Sequence, residues 1–216
     1  MKETAIRSVT GLLFASVVIA AVVWSLGSNG VFWGIVSLVA VAEWRRPMVI
    51  KKQFASLLFA MLMVGMTAVM LLLVWDWKRG FNPAPLLTFI GMIWANDTGA
   101  YLVGKPLGKH KLMPRVSPGK SWEGLIGGVM LAGLVAWWLM GWEWAWVGVL
   151  LGVAATAGDL VESAWKRSHG IKDSGSILPG HGGVLDRFDG FLFAAPIFVL
   201  LVHYFEIQFF FNLFFI

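Results

Sequence analysis

The chain from Asp159 to Arg167 carries acidic and basic residues at a spacing that suits phosphate chemistry. Asp159 and Glu162 precede the basic pair Lys166 and Arg167, and helix positions i, i+3 and i+7 share one face. The glycines that follow let backbone N–H groups approach an anion closely, while lysine and arginine add charge-assisted donors. Carboxylates repel phosphate, so carboxylates beside a phosphate site imply a bridging divalent cation, usually Mg²⁺. The pattern predicts nucleotide or pyrophosphate chemistry and names no substrate.

The elements that must position these residues are membrane helices. Of the 216 residues, 58% are hydrophobic and 13% are charged, whereas an ordinary soluble domain is about 45–50% apolar and about 25% charged. This composition excludes a soluble globular enzyme, and the lack of cysteine excludes disulfides and thiolate metal sites. Seven apolar runs are expected to cross the membrane as helices: 8–26, 31–44, 54–75, 86–103, 122–142, 144–157 and 188–205.

The predicted fold class is an all-α, polytopic integral membrane helix bundle with a cytoplasmic N-terminus. We expect a single membrane domain, 1–216, in which 1–85 form the N-terminal helices and 86–205 form the catalytic helices and cytoplasmic loops. The tail, 206–216, is too short to cross and is expected to lie in the interface. Residues 28–30, Ser-Asn-Gly, are expected to form a turn.

The basic residues support this topology. Of the seventeen lysines and arginines, all but Lys78 and Arg79 fall on the cytoplasmic side, as the positive-inside rule requires. Polar residues inside membrane helices face the bundle interior or a water-filled cavity. One site at the inner leaflet is therefore expected to collect three polar sets: Asn96 with Asp97, Asp159 with Glu162, and Asp186 with Asp189.

A longer motif carries a family resemblance. Residues 163–189 fit the pattern S-x-x-K-R-x(4)-K-D-x-G-x(2)-L-P-x-H-G-G-x-x-D-R-x-D at every fixed position. This pattern, called the signature below, resembles that of the bacterial phosphatidate cytidylyltransferases (CDP-diacylglycerol synthases). A second block, 97–124, is similar to the family's D-[ST]-G-A-Y…G-K-H-K-L…S-P-x-K-[ST]-x-E-G run. Gly119 departs from the family, because many members have lysine there. The resemblance is loose before residue 97.

The resemblance implies a Mg²⁺-dependent enzyme of phospholipid biosynthesis in the bacterial cytoplasmic (inner) membrane. It would join CTP to phosphatidic acid, giving CDP-diacylglycerol and pyrophosphate, with the active site facing the cytoplasm. The expected partners are CTP, phosphatidic acid and membrane lipids, with no nucleic acid. A small bundle with apolar helices would also allow a homodimer.

The resemblance and the residue types together give three sets of expected roles. The metal ligands are expected to be Asp159, Asp186 and Glu162. Catalytic contacts are expected from Lys166, Arg167, Asp173, His181, Arg187 and Asp189. Substrate binding is expected from Asp97, Lys109, Lys111, Ser117, Lys120, Ser163, Lys172, Gly182 and Gly183, with the two glycines forming a backbone cradle for phosphate.

Several alternatives stay open. A CTP-dependent polyprenol or lipid kinase and a CDP-archaeol-type synthase look related, although the block 105–124 favours the bacterial diacylglycerol enzyme. An ion-coupled transporter would use the buried acidic residues as an ion path, but it leaves the Gly-His-Gly-Gly sequence unexplained. Glu43, in a short apolar run, is ambiguous: it either caps a helix or lines the cavity.

Overall fold

The structure is a computed structural model that describes residues 2–46, 53–78, 80–177 and 182–205. His181 and the predicted interfacial tail, 206–216, lie outside the described residues.

The described residues are mainly helical. They form eight α-helices: α1 (Lys2–Trp24), α2 (Leu26–Arg45), α3 (Gln53–Leu72), α4 (Ala84–Leu107), α5 (Trp122–Met140), α6 (Ala145–Ser168), α7 (Leu185–Phe188) and α8 (Phe191–Phe205). A single 3₁₀ turn, Trp142–Trp144, joins α5 to α6. Two short antiparallel hairpins pair β1 (Trp75–Asp76) with β2 (Gly80–Phe81), and β3 (Lys111–Met113) with β4 (Ser117–Ser121).

Five segments of the described chain are long and apolar enough to cross a membrane: Leu26–Arg45, Ala55–Leu72, Trp122–Met140, Trp142–Ser168 and Leu185–Phe205. The apolar part of α1, Val9–Trp24, is shorter. Large apolar side chains such as Leu38, Val64 and Leu200 are exposed on these helices, as expected of surfaces that face lipid. The predicted class, an all-α polytopic membrane protein, is confirmed. The count of seven crossings and the side on which each loop lies stay predictions.

One predicted turn is wrong, because residues 28–30 lie inside α2. The side chain of Ser25 accepts a hydrogen bond from the Ser28 amide at 3.0 Å, and the Ser28 side chain accepts one from the Ser25 amide at 3.0 Å. Asn29 Nδ2 donates to the carbonyl oxygens of Val22 and Ser25, each at 2.9 Å. These polar side chains satisfy the first turn of α2 and the last turn of α1, so a sequence typical of a turn starts a capped helix instead.

Residues 104–121, which lie between the apolar runs 86–103 and 122–142, form regular structure over most of their length. α4 continues to Leu107, and β3 and β4 form most of the rest. β4 leads into α5, whose N-cap residue Ser121 accepts a hydrogen bond from the Gly124 amide at 3.1 Å. A Cβ atom at Gly99 would lie 2.5 Å from the Gly127 carbonyl oxygen, so these glycines let α4 and α5 pack closely.

The chain forms two compact units. The first holds Met1–Pro83 and Trp165–Phe188, and the second holds Ala84–Ala164 and Asp189–Ile216. The first unit therefore holds the N-terminal helices together with most of the signature segment, which the sequence grouped with the catalytic helices and loops, 86–205.

Candidate functional site

In the first unit, Asp186 accepts several hydrogen bonds. The Nζ atom of Lys166, in the last turn of α6, lies 2.6 Å from Asp186 Oδ1, and the two side chains are only 9% and 6% exposed. The Ser174 amide donates to both carboxylate oxygens, at 3.2 and 3.0 Å, and the Gly183 amide donates to Oδ2 at 2.7 Å. An ammonium group and two amides thus compensate the charge of this buried carboxylate.

A second buried carboxylate, Glu43 of α2, bonds to the same segment. Its side chain is 0% exposed. Glu43 Oε1 accepts from the Val184 amide at 3.0 Å and Oε2 accepts from the Leu185 amide at 2.9 Å. The hydroxyl of Ser174 also donates to Oε2, at 3.2 Å. Because α7 begins at Leu185, Glu43 caps this short helix from another helix. Capping is one of the two roles that the sequence left open, and the cavity-lining role stays a prediction.

Three glycines of the signature adjoin these carboxylates. Gly182 has a φ of +81°, a conformation that favours glycine. A Cβ atom at Gly183 would lie 2.6 Å from Glu43 Oε2, and one at Gly175 would overlap Glu43 Oε1. The sequence predicted a backbone cradle for phosphate at Gly182 and Gly183. In the structure the Gly183 amide donates to Asp186 instead, so a phosphate would have to replace that bond.

In the second unit, Lys120 forms an ion pair with Asp159. Lys120 Nζ lies 2.5 Å from Asp159 Oδ2, and the side chains are 27% and 34% exposed. The Ser163 hydroxyl donates to Asp159 Oδ1 at 3.1 Å. The carboxyl of Asp189 interacts electrostatically with those of Asp159 and Glu162 and with the ammonium group of Lys120. We call Lys120, Asp159, Glu162 and Asp189 the acidic cluster.

Small residues bring the members of the acidic cluster together. A Cβ atom at Gly158 would lie 2.7 Å from the carbonyl oxygen of Asp189, and one at Gly190 would lie 3.1 Å from the carbonyl oxygen of Ala155. α6 therefore approaches the backbone at the start of α8 more closely than larger residues would allow. This close approach brings the backbone of Asp189 against Gly158, the residue before Asp159.

The other predicted residues are more exposed. In the first unit Arg167, Lys172, Asp173 and Arg187 are exposed, and Arg167 Nη1 donates to the Ile171 carbonyl oxygen at 2.8 Å. In the second unit Lys109 and Lys111 are exposed, Ser117 is half-buried, and Ser163 is buried. Asp97 is exposed on α4, beside the buried Asn96. That all three polar sets meet at one site stays a prediction.

Within the acidic cluster, the carboxylate of Asp159 is suited to be one ligand of a hard cation. Each oxygen of the Asp159 carboxylate accepts one described bond and has a second lone pair, and the side chain is partly exposed. Mg²⁺ is usually held by one or two carboxylates together with substrate oxygens and water. Among the described residues no group of three or more histidine, aspartate or glutamate side chains forms a metal site by itself.

Comparison with known proteins decides the family. A sequence model of the cytidylyltransferase family matches residues 3–205. The chain belongs to this family. Three relatives carry the name phosphatidate cytidylyltransferase. The protein of Staphylococcus aureus (strain COL) is 47% identical over 124 residues, that of Staphylococcus haemolyticus 46% over 119 residues, and that of Staphylococcus epidermidis 45% over 119 residues. Each match covers 51% of this chain and 46% of the relative, so the chain spans about half the length of these relatives.

Membership of the cytidylyltransferase family confirms the resemblance found in the sequence. The match also extends over the first ninety residues, where the sequence resemblance was loose. Glu43 lies in that part, and sequence reasoning did not assign it to the site. The available signal was a lone acid in an apolar run just before Arg45 and Arg46.

Proposed function

We propose that this membrane protein transfers the cytidylyl group of CTP to phosphatidic acid, giving CDP-diacylglycerol and pyrophosphate. The observation that carries the proposal is the acidic cluster, which combines carboxylates and a lysine in a chain of the cytidylyltransferase family. The names of the Staphylococcus relatives support phosphatidic acid as the acceptor. The distribution of basic residues supports a site on the cytoplasmic side of a bacterial inner membrane.

The reaction exchanges one phosphorus–oxygen bond for another. An oxygen of the lipid phosphate forms a bond to the α-phosphorus of CTP, and the bond from that phosphorus to the oxygen of the β-phosphate breaks. The electron pair leaves with pyrophosphate. Because the lipid phosphate is already an anionic nucleophile, the protein has no need of a strong general base. Its residues contribute positioning and neutralisation of charge.

We propose that the acidic cluster holds Mg²⁺ through Asp159, with Glu162 and Asp189 beside it. A Mg²⁺ ion held there would supply positive charge that offsets the negative charge of the leaving pyrophosphate. Asp186 is the weaker candidate ligand, because its oxygens accept bonds from Lys166, Ser174 and Gly183. It could bind a metal only after the bond to Lys166 breaks.

The basic residues of this chain would hold the phosphate groups. Lys120 neutralises Asp159 and is itself partly exposed, so it could turn to a phosphate oxygen of a bound substrate. In the second unit the side chains of Lys109 and Lys111 are exposed and would serve as charge-assisted donors to phosphate. In the first unit the exposed side chain of Arg187 would serve in the same way.

Transfer of label from CTP to lipid tests the proposal. Purified protein in detergent is given phosphatidic acid, Mg²⁺ and CTP labelled at the α-phosphate, and label is followed into the organic phase. We expect Mg²⁺-dependent labelling that Asp159→Asn reduces by about a hundredfold or more. Glu143→Gln, at an exposed acid of the 3₁₀ turn, should keep wild-type activity. Full activity of Asp159→Asn would overturn the metal assignment.

A further inference from the structure

Glu43 is a fully buried acid for which the proposed reaction has no use. A buried charge in a membrane helix is costly unless it is paired or hydrogen-bonded. Here the hydroxyl of Ser174 and the amides of Val184 and Leu185 donate to it. All three donors belong to the signature segment. Hydrogen bonds to the backbone of Val184 and Leu185 and to the side chain of Ser174 therefore occupy the Glu43 carboxylate.

Trp44, the next residue, makes a second contact with the same part of the chain. Its ring stacks on Trp165 with centroids 4.0 Å apart and planes 9° from parallel, and on Phe59 with centroids 4.1 Å apart. Trp165 immediately precedes Lys166 in the last turn of α6. The end of α2 thus contacts α6 through Trp44 and the start of α7 through Glu43.

We infer that Glu43 is a positioning residue for the signature segment and that it fixes the pair of Lys166 and Asp186. Ser174 joins the two carboxylates, because its hydroxyl donates to Glu43 while its amide donates to Asp186. A shift of the Glu43 carboxylate would therefore move an amide that bonds to Asp186. The inference rests on the proposed function, since the segment that Glu43 holds carries Arg187, which is assigned there to phosphate binding.

The positions of two signature glycines follow from the same carboxylate. The three atoms nearest to a Cβ at Gly175 all belong to Glu43: Oε1, which it would overlap, Cδ at 2.7 Å and Cγ at 3.2 Å. A Cβ at Gly183 would overlap the hydroxyl oxygen of Ser174, which itself donates to Glu43, and would lie 2.6 and 2.7 Å from the two Glu43 oxygens. These positions admit no side chain while Glu43 is in place. The glycines leave room for an acid that lies more than 130 residues earlier in the chain.

This steric relationship predicts a rescue. Gly175→Ala should lower kcat/KM about tenfold or more, because its Cβ overlaps the Glu43 carboxylate. Glu43→Asp withdraws the carboxylate by one methylene, so the double variant should regain at least about threefold over Gly175→Ala alone. Gly65→Ala in α3, where a Cβ would meet nothing within 4 Å, should keep wild-type kcat/KM. A double variant no better than Gly175→Ala would overturn the inference.

Backbone hydrogen exchange of the full chain in detergent tests the positioning role of Glu43 without substrate. In Glu43→Gln the amides of Val184 and Leu185 lose a charged acceptor, so peptides covering 182–188 should exchange about tenfold faster or more. Glu143→Gln should leave their exchange unchanged. If Glu43→Gln does not fold, Glu43→Asp is measured in its place with the same expected direction.

The two experiments separate the inference from the proposed function. A wild-type protein without transferase activity would contradict the proposed function, while the exchange rates would still decide the role of Glu43. Unchanged exchange in the folded Glu43 variant would overturn the inference whatever the activity.

Discussion

The ammonium group of Lys166 lies 2.6 Å from Asp186 Oδ1, and both side chains are more than nine-tenths buried. The sequence assigned Lys166 to phosphate and Asp186 to a metal, but in the structure each is the counter-charge of the other. The stability of this region therefore depends on keeping both charges together.

Removal of the ammonium group tests this dependence. Among the described residues, Lys166→Met leaves the buried carboxylate of Asp186 with the amide donors of Ser174 and Gly183. The change should cost about 3 kcal/mol and lower the Tm by about 6–12 °C. Thermal unfolding in detergent, followed by tryptophan fluorescence, measures the change. The exposed Lys172 gives the matched control, because Lys172→Met should change stability by no more than about 0.5 kcal/mol. Equal effects of the two substitutions would contradict the buried pair.

The ion pair of Lys120 with Asp159 predicts how metal affinity changes when Lys120 is replaced. Lys120→Met removes a positive charge from the acidic cluster, so binding of Mn²⁺, used as a paramagnetic substitute for Mg²⁺, should tighten about two- to fivefold. The same variant should bind CTP more weakly, because it loses a donor to phosphate. Electron paramagnetic resonance of free Mn²⁺ measures the first effect, and the KM for CTP measures the second. Weaker Mn²⁺ binding would show that Lys120 does not compete with the cation.

Close packing between α5 and α6 predicts a sensitive glycine. A Cβ atom at Gly148 would overlap the carbonyl oxygen of Ala132 and lie 2.8 Å from Gly133 Cα, and backbone atoms cannot move aside cheaply. Gly148→Ala should therefore destabilise the protein by about 1–3 kcal/mol. Gly65→Ala, whose added Cβ would meet no atom within 4 Å, should be neutral or stabilising by up to about 1 kcal/mol. The Tm values of the two variants, measured side by side, give the comparison, and a neutral Gly148→Ala would contradict the packing.

The lack of cysteine makes the predicted topology easy to test. Single variants Arg115→Cys and Lys78→Cys place a thiol at exposed positions on opposite predicted sides of the membrane. A membrane-impermeant maleimide should label Lys78→Cys in intact spheroplasts, and Arg115→Cys only after the membrane is opened. Labelling in the reverse order would contradict a cytoplasmic N-terminus with seven crossings.

The sequence alone predicted the structure correctly where one local property determines it. Each predicted apolar run is largely helical, because apolar residues in sufficient number leave the backbone few other ways to satisfy its polar groups in lipid. The sequence-based prediction failed at residues 28–30, where serine, asparagine and glycine suit a turn and the start of a capped helix equally well. The hydrogen bond from Asn29 to the Val22 carbonyl oxygen at the end of α1 forms only when the two helices are in place, so the local sequence pattern did not reveal it.

The role of Glu43 could not be predicted for a different reason. Its hydrogen-bond partners lie 131 to 142 residues away along the chain, and the local sequence pattern does not identify them. The pairing of Lys166 with Asp186 likewise depends on the path of the segment between them. Spacing within one helix predicts a shared face, but it does not predict which charges meet across a loop.

Comparison of two labelled forms of CTP is the most direct test of cytidylyl transfer. Parallel reactions contain phosphatidic acid and Mg²⁺ with CTP labelled at either the α- or the γ-phosphate. We expect the α-label in the lipid phase and the γ-label in water-soluble pyrophosphate. Transfer of the γ-label to lipid would instead show a CTP-dependent kinase. Retention of both labels in the aqueous phase, across several phosphatidic acids and divalent metals, would contradict the proposed function.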